Sequence, residues 1–352
     1  MRTSARPGNT LDKKLHALDA DFSVGGLVRN PRGKALAPRP SRKASPTAAE
    51  ELSRPVVPPV TAPNGVALLR VPGWDLPWLW SGFSTRRGGL SRAYCAEGAD
   101  GELNLGFTAG DDRETVLRNR QLLAEAVTGD ADTPLLTLRQ FHSNLVIRAV
   151  AEDAQRERPL KADGAITRDP GLLLAIQVAD CIPVLVVDRK RRVAGVFHAG
   201  WRGTVKRIVE TGVGRMRLEF GSRPRDLMAA IGPGIGPCCY AVGEEVISEF
   251  TSQFAYVAEL FHEVFDSDPI KTRYPMLFLT QRAPGHSPIG PQTHLDLVEA
   301  NRRQLLDAGL KPSAIQVAGG CTNCHRELFF SHRGSRGHAG RMMGVAGVKA
   351  EV

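Results

Sequence analysis

The sequence has no long uninterrupted apolar run. Its longest, Gly171 to Val187, is broken by Gln177, Asp180 and Pro183, so it does not read as a membrane span. The first thirty residues contain no continuous apolar segment of the kind a secretory signal needs, which predicts a cytoplasmic protein. Only six cysteines occur in 352 residues, unevenly placed at 95, 181, 238, 239, 321 and 324. That is too few for a disulfide scaffold, and without a secretory segment reduced thiols are the default. Phosphate-loop, dinucleotide-binding and nucleophile-elbow motifs are all missing.

Charge of one sign is scarce once it is mapped. The formal net charge is +9, but residues 1–60 hold eleven Lys/Arg against five Asp/Glu. The other 292 residues carry 35 against 32, with no basic stripe interleaved with aromatics, so neither nucleic acid nor a membrane surface is an expected partner. Residues 1–60 also hold eight of the 24 prolines, and their apolar residues lack a helical or strand period. They read as a basic, disordered arm, or as sequence upstream of the true start. The catalytic domain is expected over 65–352.

What is present from Gly65 onward is a mixture of short apolar runs and amphipathic segments. Strands are predicted at 68–71, 78–80, 135–138, 145–147, 172–177, 182–187, 193–197, 227–231 and 315–317, and 82–90 reads as a strand running into a glycine turn. Helices are predicted at 111–127, 204–220, 242–254 and 295–308. Runs such as Ile182 to Val187 suit strands buried on both faces. The fold class is α/β: a single domain with mixed β-sheets flanked by helices.

Three side chains at the ends of predicted buried strands could carry chemistry: His142, Cys181 and His198. One thiolate and two imidazoles suit zinc with an open fourth position. The spacings are long, so only the fold could assemble such a set, and buried, hydrogen-bonded histidines are the alternative. Asp163 and Asp180 are candidates for a general base or for acceptors behind the histidines, or are turn residues. The turn Gly200 to Gly203 precedes a helix and could hold an anion with Arg202, or leave Arg202 exposed. A second cluster, Cys321-Thr-Asn-Cys324-His325, lacks a second CxxC pair. Cys238 and Cys239 are adjacent, so these cysteines read as turn or buried residues rather than a zinc ribbon.

Several motifs together match something specific. Gly82-Phe-Ser-Thr-Arg-Arg-Gly-Gly, Leu103-Asn-Leu-Gly, Gln140-Phe-His-Ser, Ala162-Asp-Gly, Ala179-Asp-Cys-Ile-Pro-Val, His198-Ala-Gly-Trp-Arg-Gly, Ile231-Gly-Pro and Phe329-Phe-Ser-His-Arg occur in that order. This series resembles the laccase-domain family, also called polyphenol oxidase, which includes peptidoglycan editing factors and purine nucleoside phosphorylases. The resemblance implies a laccase-domain-like fold with one catalytic zinc on His142, Cys181 and His198, copper being the alternative metal. It implies phosphorolysis of adenosine, inosine, guanosine and methylthioadenosine with phosphate, and deamination of adenosine. It also suggests Arg86, Asn104 and Arg202 near substrate and phosphate. Two other activities belong to the same likeness: hydrolytic editing of a peptidoglycan precursor, and copper-dependent phenol oxidation. The nine histidines are few for a trinuclear copper centre. One departure is Ser331-His332-Arg333, where the family usually has Ser-Tyr-Arg.

Overall fold

The computed structural model describes residues 56–95, 100–265 and 291–350. Most of the expected arm, residues 1–55, lies outside them. Its last residues do not stand apart from the fold. Val56 and Val57 pack against the core, and the Val57 N–H donates to the Ala318 carbonyl at 3.4 Å.

In chain order the strands and helices begin with β1 (Val60–Thr61), β2 (Ala67–Leu69), β3 (Leu79–Ser84), β4 (Arg87–Ser91) and α1 (Arg113–Thr128). The middle contains β5 (Leu135–Thr137), β6 (Val146–Arg148), β7 (Gly164–Thr167), β8 (Leu172–Val178), β9 (Ile182–Asp188), β10 (Val193–Ala199), α2 (Trp201–Val205) and α3 (Ile208–Phe220). Then follow β11 (Leu227–Ile231), α4 (Glu244–Gln253), β12 (Phe261–Phe265), β13 (Pro291–Leu295), α5 (Leu297–Asp307), β14 (Ile315–Val317) and β15 (Met342–Val348). Two six-stranded mixed sheets result, ordered β1-β2-β3-β15-β8-β5 and β14-β11-β9-β10-β7-β6, with β12 and β13 paired separately.

Side-chain alternation along the strands explains the layering. Leu172, Leu174 and Ile176 of β8 join Leu185, Val187, Ala194 and Val196 of β9 and β10 in a core between the sheets. Leu173 and Ala175 face the other way, onto Leu123 and Val127 of α1. Val184, Val186 and Phe197 face α3 and α5 through Ile208, Val213, Leu297 and Leu305. The order is therefore helix, sheet, sheet, helix, and both β8 and β9 are buried on both faces, as their continuous apolar runs require.

Three departures from the sequence reading have local causes. The long helix expected at 204–220 is two helices, because Arg207 adopts a left-handed conformation (φ 59°) between α2 and α3. That break is held by the Arg207 guanidinium, which donates to Glu210 Oε1 at 2.6 Å and to the Gln253 carbonyl at 2.9 Å. Where a strand at 78–80 and a strand running into a glycine turn at 82–90 were expected, β3 spans Leu79–Ser84 and the glycine segment is itself a strand, β4. Finally β15, Met-Met-Gly-Val-Ala-Gly-Val, lies centrally between β3 and β8 and was not anticipated. Its glycines mask it as a turn-rich segment, yet they are what lets it pack: a Cβ on Gly344 would come within 2.9 Å of the Pro183 Cβ in the facing sheet. Among the described residues no helix is long and apolar enough to cross a membrane.

Gly212 of α3 rests directly on the Phe197 ring, with no room for a side chain. Gly212→Ala should lower unfolding stability by about 1–2 kcal/mol, overpacking outweighing the helix propensity gained. Adding Phe197→Leu should cost less in that background than in the parent. Urea unfolding of the four proteins measures both effects, and strictly additive losses would contradict this packing.

Candidate metal centre

Two of the places where the chain passes between the sheets define the site. β5 belongs to one sheet and β6 to the other, and the crossing segment contains His142. β8 and β9 are likewise in different sheets, and their three-residue crossing is Ala179-Asp180-Cys181. Both crossings need a sharp bend, and at both a non-glycine residue takes a positive φ: 61° at His142 and 87° at Asp180. Such conformations are costly for side-chain-bearing residues and persist where the surroundings hold them. Gln140 pins the first crossing to the second, its amide donating to the Gln177 carbonyl at 2.8 Å and accepting from the Gln177 N–H at 2.7 Å.

His198 arrives from β10, whose last residues pair with the start of β9, His198 opposite Pro183 and Ala199 opposite Ile182. Its donor nitrogen, the Cys181 sulphur and a His142 nitrogen all lie within 4.8 Å of one another. The Cys181 Sγ is 3.9 Å from His142 Nε2, and the two imidazole rings are 5.0 Å apart at 63°. Gly200 closes the group from below. A Cβ there would sit 2.9 Å from the Cys181 sulphur and 3.0 Å from His142 Cδ2, so only glycine leaves the donors room. One thiolate and two imidazoles, converging without a competing side chain, fit a zinc- or copper-class ion.

Behind the donors is Asp163, fully buried at the start of β7. Its carboxylate accepts from the backbone N–H groups of Phe141 (3.2 Å), His142 (2.9 Å) and Ser143 (2.8 Å), and from the Ser143 hydroxyl at 2.7 Å. It also accepts from His198 Nδ1 at 2.9 Å. That last bond leaves Nε2 as the His198 donor toward Cys181. Burial alone would raise the Asp163 pKa, but hydrogen bonds from His198 and Ser143 hold it well below the usual carboxylate range. The effect spreads outward. Burial opposes a Cys181 thiolate, yet the His198 charge and hydrogen bonds from His142 and His198 bring the thiol down to about 6. Burial likewise opposes the His198 imidazolium, which the Cys181 thiolate and the Asp163 hydrogen bond raise to about 9.

The remaining sequence candidates separate into different positions. Asp180 has its carboxylate bound on both oxygens, by the Thr322 hydroxyl and the Arg333 N–H, each at 2.6 Å. Asn104 is fully buried and all its polar positions are filled: its amide donates to the Gly106 carbonyl and Asp111, and its oxygen accepts from the N–H groups of Gly106 and Arg341. No hydrogen-bonding capacity is left for a ligand. Arg86 is tied to Glu102 at 2.6 Å, to the carbonyls of Arg326 and Tyr94, and lies 4.7 Å over the Phe330 ring. Arg202 differs from both. Its guanidinium is half-exposed, stacked 4.1 Å from Trp201 and only 3.4 Å from Glu245.

Sequence reasoning missed Tyr240, Thr322 and the second cysteine group. Tyr240 is close enough to Cys181 that, after burial, the thiolate is what most raises its pKa, so the phenol stays protonated. Its signal was the Cys-Cys-Tyr triplet. The reading of Cys238, Cys239, Cys321 and Cys324 as unrelated cysteines is corrected by their placement: all four sulphurs lie within 4.8 Å of one another. A tight turn makes this possible, with the Cys239 and Tyr240 N–H groups both donating to the Gly236 carbonyl at 2.9 and 3.0 Å.

In metal-stripped protein, alkylation of Cys181 by iodoacetamide should rise with pH through about 6. With His198→Gln the step should move up toward the ordinary thiol value of about 8.5. Peptide-resolved mass spectrometry reads the rates, and an unmoved step would contradict the pairing of Cys181 with His198.

Known proteins agree with this architecture. The profile described as multi-copper polyphenol oxidoreductase laccase matches residues 80–349. The chain is 34% identical over 278 residues to purine nucleoside phosphorylase YlmD of Geobacillus stearothermophilus, covering 77% of this chain and 90% of that protein. It is 33% identical over 257 residues to adenosine deaminase RL5 from an unknown prokaryotic organism, covering 71% and 87%. The crystal structure of YlmD from Geobacillus stearothermophilus superposes with a TM-score of 0.66 at 31% identity, covering 84% of this chain and all of that one. With a matched profile across most of its length, a shared fold and relatives named as enzymes, the chain belongs to the multi-copper polyphenol oxidoreductase laccase family.

Proposed function

We propose that this chain is a zinc-dependent purine nucleoside phosphorylase with adenosine deaminase activity, and that His142, Cys181 and His198 hold its metal. The observation that carries the proposal is the convergence of those three donors beside the buried Asp163 carboxylate, in a chain related to proteins named for these two reactions. Copper remains the alternative ion for the same donors. A trinuclear copper oxidase would need a histidine-rich centre, and among the described residues only one donor group contains histidine.

Adenosine, inosine, guanosine and methylthioadenosine are the substrates, with phosphate attacking the anomeric carbon as the glycosidic bond breaks to give the base and ribose 1-phosphate, or 5-methylthioribose 1-phosphate from methylthioadenosine. A divalent ion held by His142, Cys181 and His198 would supply a Lewis acid. The chain's own groups supply the rest. Asp163 holds the proton on His198 Nδ1, fixing the ring and leaving Nε2 as the nitrogen that would hold a metal. Asp180, with both oxygens already accepting, positions the Cys181 bend. Tyr240 keeps its phenolic proton and offers a neutral donor beside Cys181. Arg202, exposed and weakly paired, is the cation available to phosphate. Arg86 and Asn104 support the surrounding loops through bonds within the fold, Arg86 by its two terminal nitrogens while its Nε is buried without a partner.

Incubating the protein with inosine, with and without phosphate, and separating products by chromatography tests the reading. Phosphate-dependent release of hypoxanthine, abolished in Cys181→Ala, is expected; adenosine without phosphate should give inosine. Failure of zinc-loaded protein to form either product would refute it. Asp163→Asn should weaken metal binding about 10–100-fold, the range for partners behind a ligating histidine. Competition with a chelator measures this, and unchanged affinity would remove Asp163 from its assigned role.

A further inference from the structure

The four cysteines outside the proposed active site form a group of their own. Cys238 and Cys239 come from the turn after β11, and Cys321 and Cys324 from the loop after β14. The Cys324 sulphur lies 3.4 Å from Cys238 Sγ and 3.5 Å from Cys239 Sγ, and every pair is within 4.8 Å. Four sulphurs each about 2.3 Å from one zinc would stand about 3.8 Å apart at tetrahedral corners. The observed spacing is that of a mononuclear site. None of the four is in a disulfide.

The surroundings are shaped around the sulphurs. Gly236 faces them without a side chain, and a Cβ there would lie 3.2 Å from Cys238 Sγ and 3.1 Å from Cys321 Cβ. The Asn323 side chain hydrogen-bonds to Cys239, the kind of outer contact that supports a thiolate ligand. Burial is graded, from buried Cys321 through half-buried Cys238 and Cys239 to exposed Cys324, leaving an entry path from solvent. Four thiols brought together without an ion or a disulfide would desolvate polarizable groups that satisfy each other poorly. A soft cation resolves that, displacing the thiol protons as it binds.

We infer that Cys238, Cys239, Cys321 and Cys324 bind a second metal ion, a single thiophilic divalent cation of the zinc class, which joins the two loops that hold Asp180. The joining follows from the contacts already described. The 234–240 segment grips the Asp180 backbone through the Ile235 N–H, which donates to the Asp180 carbonyl at 2.8 Å. The 321–333 segment grips its carboxylate through Thr322 and Arg333. The segments meet where the Thr322 N–H donates to the Gly234 carbonyl at 2.9 Å. An ion clamping both would fix the Cys181 bend and Tyr240 from behind while touching no substrate. The site stands apart from the purine reading, and its test reads metal rather than turnover.

The experiment uses full-length Cys181→Ala protein, which retains all four cysteines and lacks a donor of the first site. It is loaded with zinc and dialysed against a weak chelator. One zinc per chain should remain, against two in the parent, and X-ray absorption should find four sulphur neighbours at about 2.3 Å. Cobalt substitution should give strong sulphur-to-metal charge-transfer absorption. Cys324→Ser in the same background should lose the remaining ion, and Cys324→Ser alone should keep one zinc and melt at a lower temperature. The inference is overturned if Cys181→Ala retains no zinc. It is overturned equally if the retained ion has nitrogen or oxygen in its first shell, or if the four cysteines isolate as disulfides from reductant-treated, zinc-loaded protein.

Discussion

One buried carboxylate organises the site. Asp163 accepts three consecutive backbone N–H groups, from Phe141 to Ser143, and one imidazole proton from His198. Those bonds hold His142 at its positive φ and fix the orientation of His198. Remove the charge and two of the three donors lose their support together. A carboxylate with this many donors is stabilised as an anion despite its burial, and its pKa is depressed accordingly. Its contribution to stability is therefore complete above the unfolded carboxyl value of about 3.9 and lost as pH falls toward the folded value.

The double sheet explains why such a hub is needed. Each sheet is well packed on both faces, but the chain must pass between them, and the two passages that bear His142 and Cys181 are short and bent. Ala179-Asp180-Cys181 has three residues in which to leave β8 and enter β9. The strain at Asp180 is held by Thr322 and Arg333, and the strain at His142 by Asp163. The candidate metal donors His142 and Cys181 lie at these two bends. Structural cost and the proposed chemical use thus fall at the same positions, as expected where a site is built from strained backbone.

Much of this was legible in the letters. Continuous apolar runs disclosed β8, β9 and β10, because strands buried on both faces have no alternation to show. The residue types of His142, Cys181 and His198 suggested a donor set, and the structure brings them together. Other parts were hidden for physical reasons. β15 is rich in glycine because it packs too closely for larger side chains, and glycine suggests turns. Asn104, which the family likeness suggested near substrate, makes all its hydrogen bonds within the fold, which no linear pattern reveals. The cysteine group was dismissed because adjacent cysteines do not reproduce a CxxC pair. A turn over Gly236 gives the same convergence by another route.

The most direct measurement of the central claim is anomalous diffraction at the zinc edge from crystals grown with inosine and phosphate. The account predicts a peak bonded to Cys181 Sγ, His198 Nε2 and a His142 ring nitrogen, with Asp163 still on His198 Nδ1. It also predicts nucleoside or its products beside that peak. A site without anomalous density while the protein turns over inosine, or a purine bound elsewhere, would contradict it.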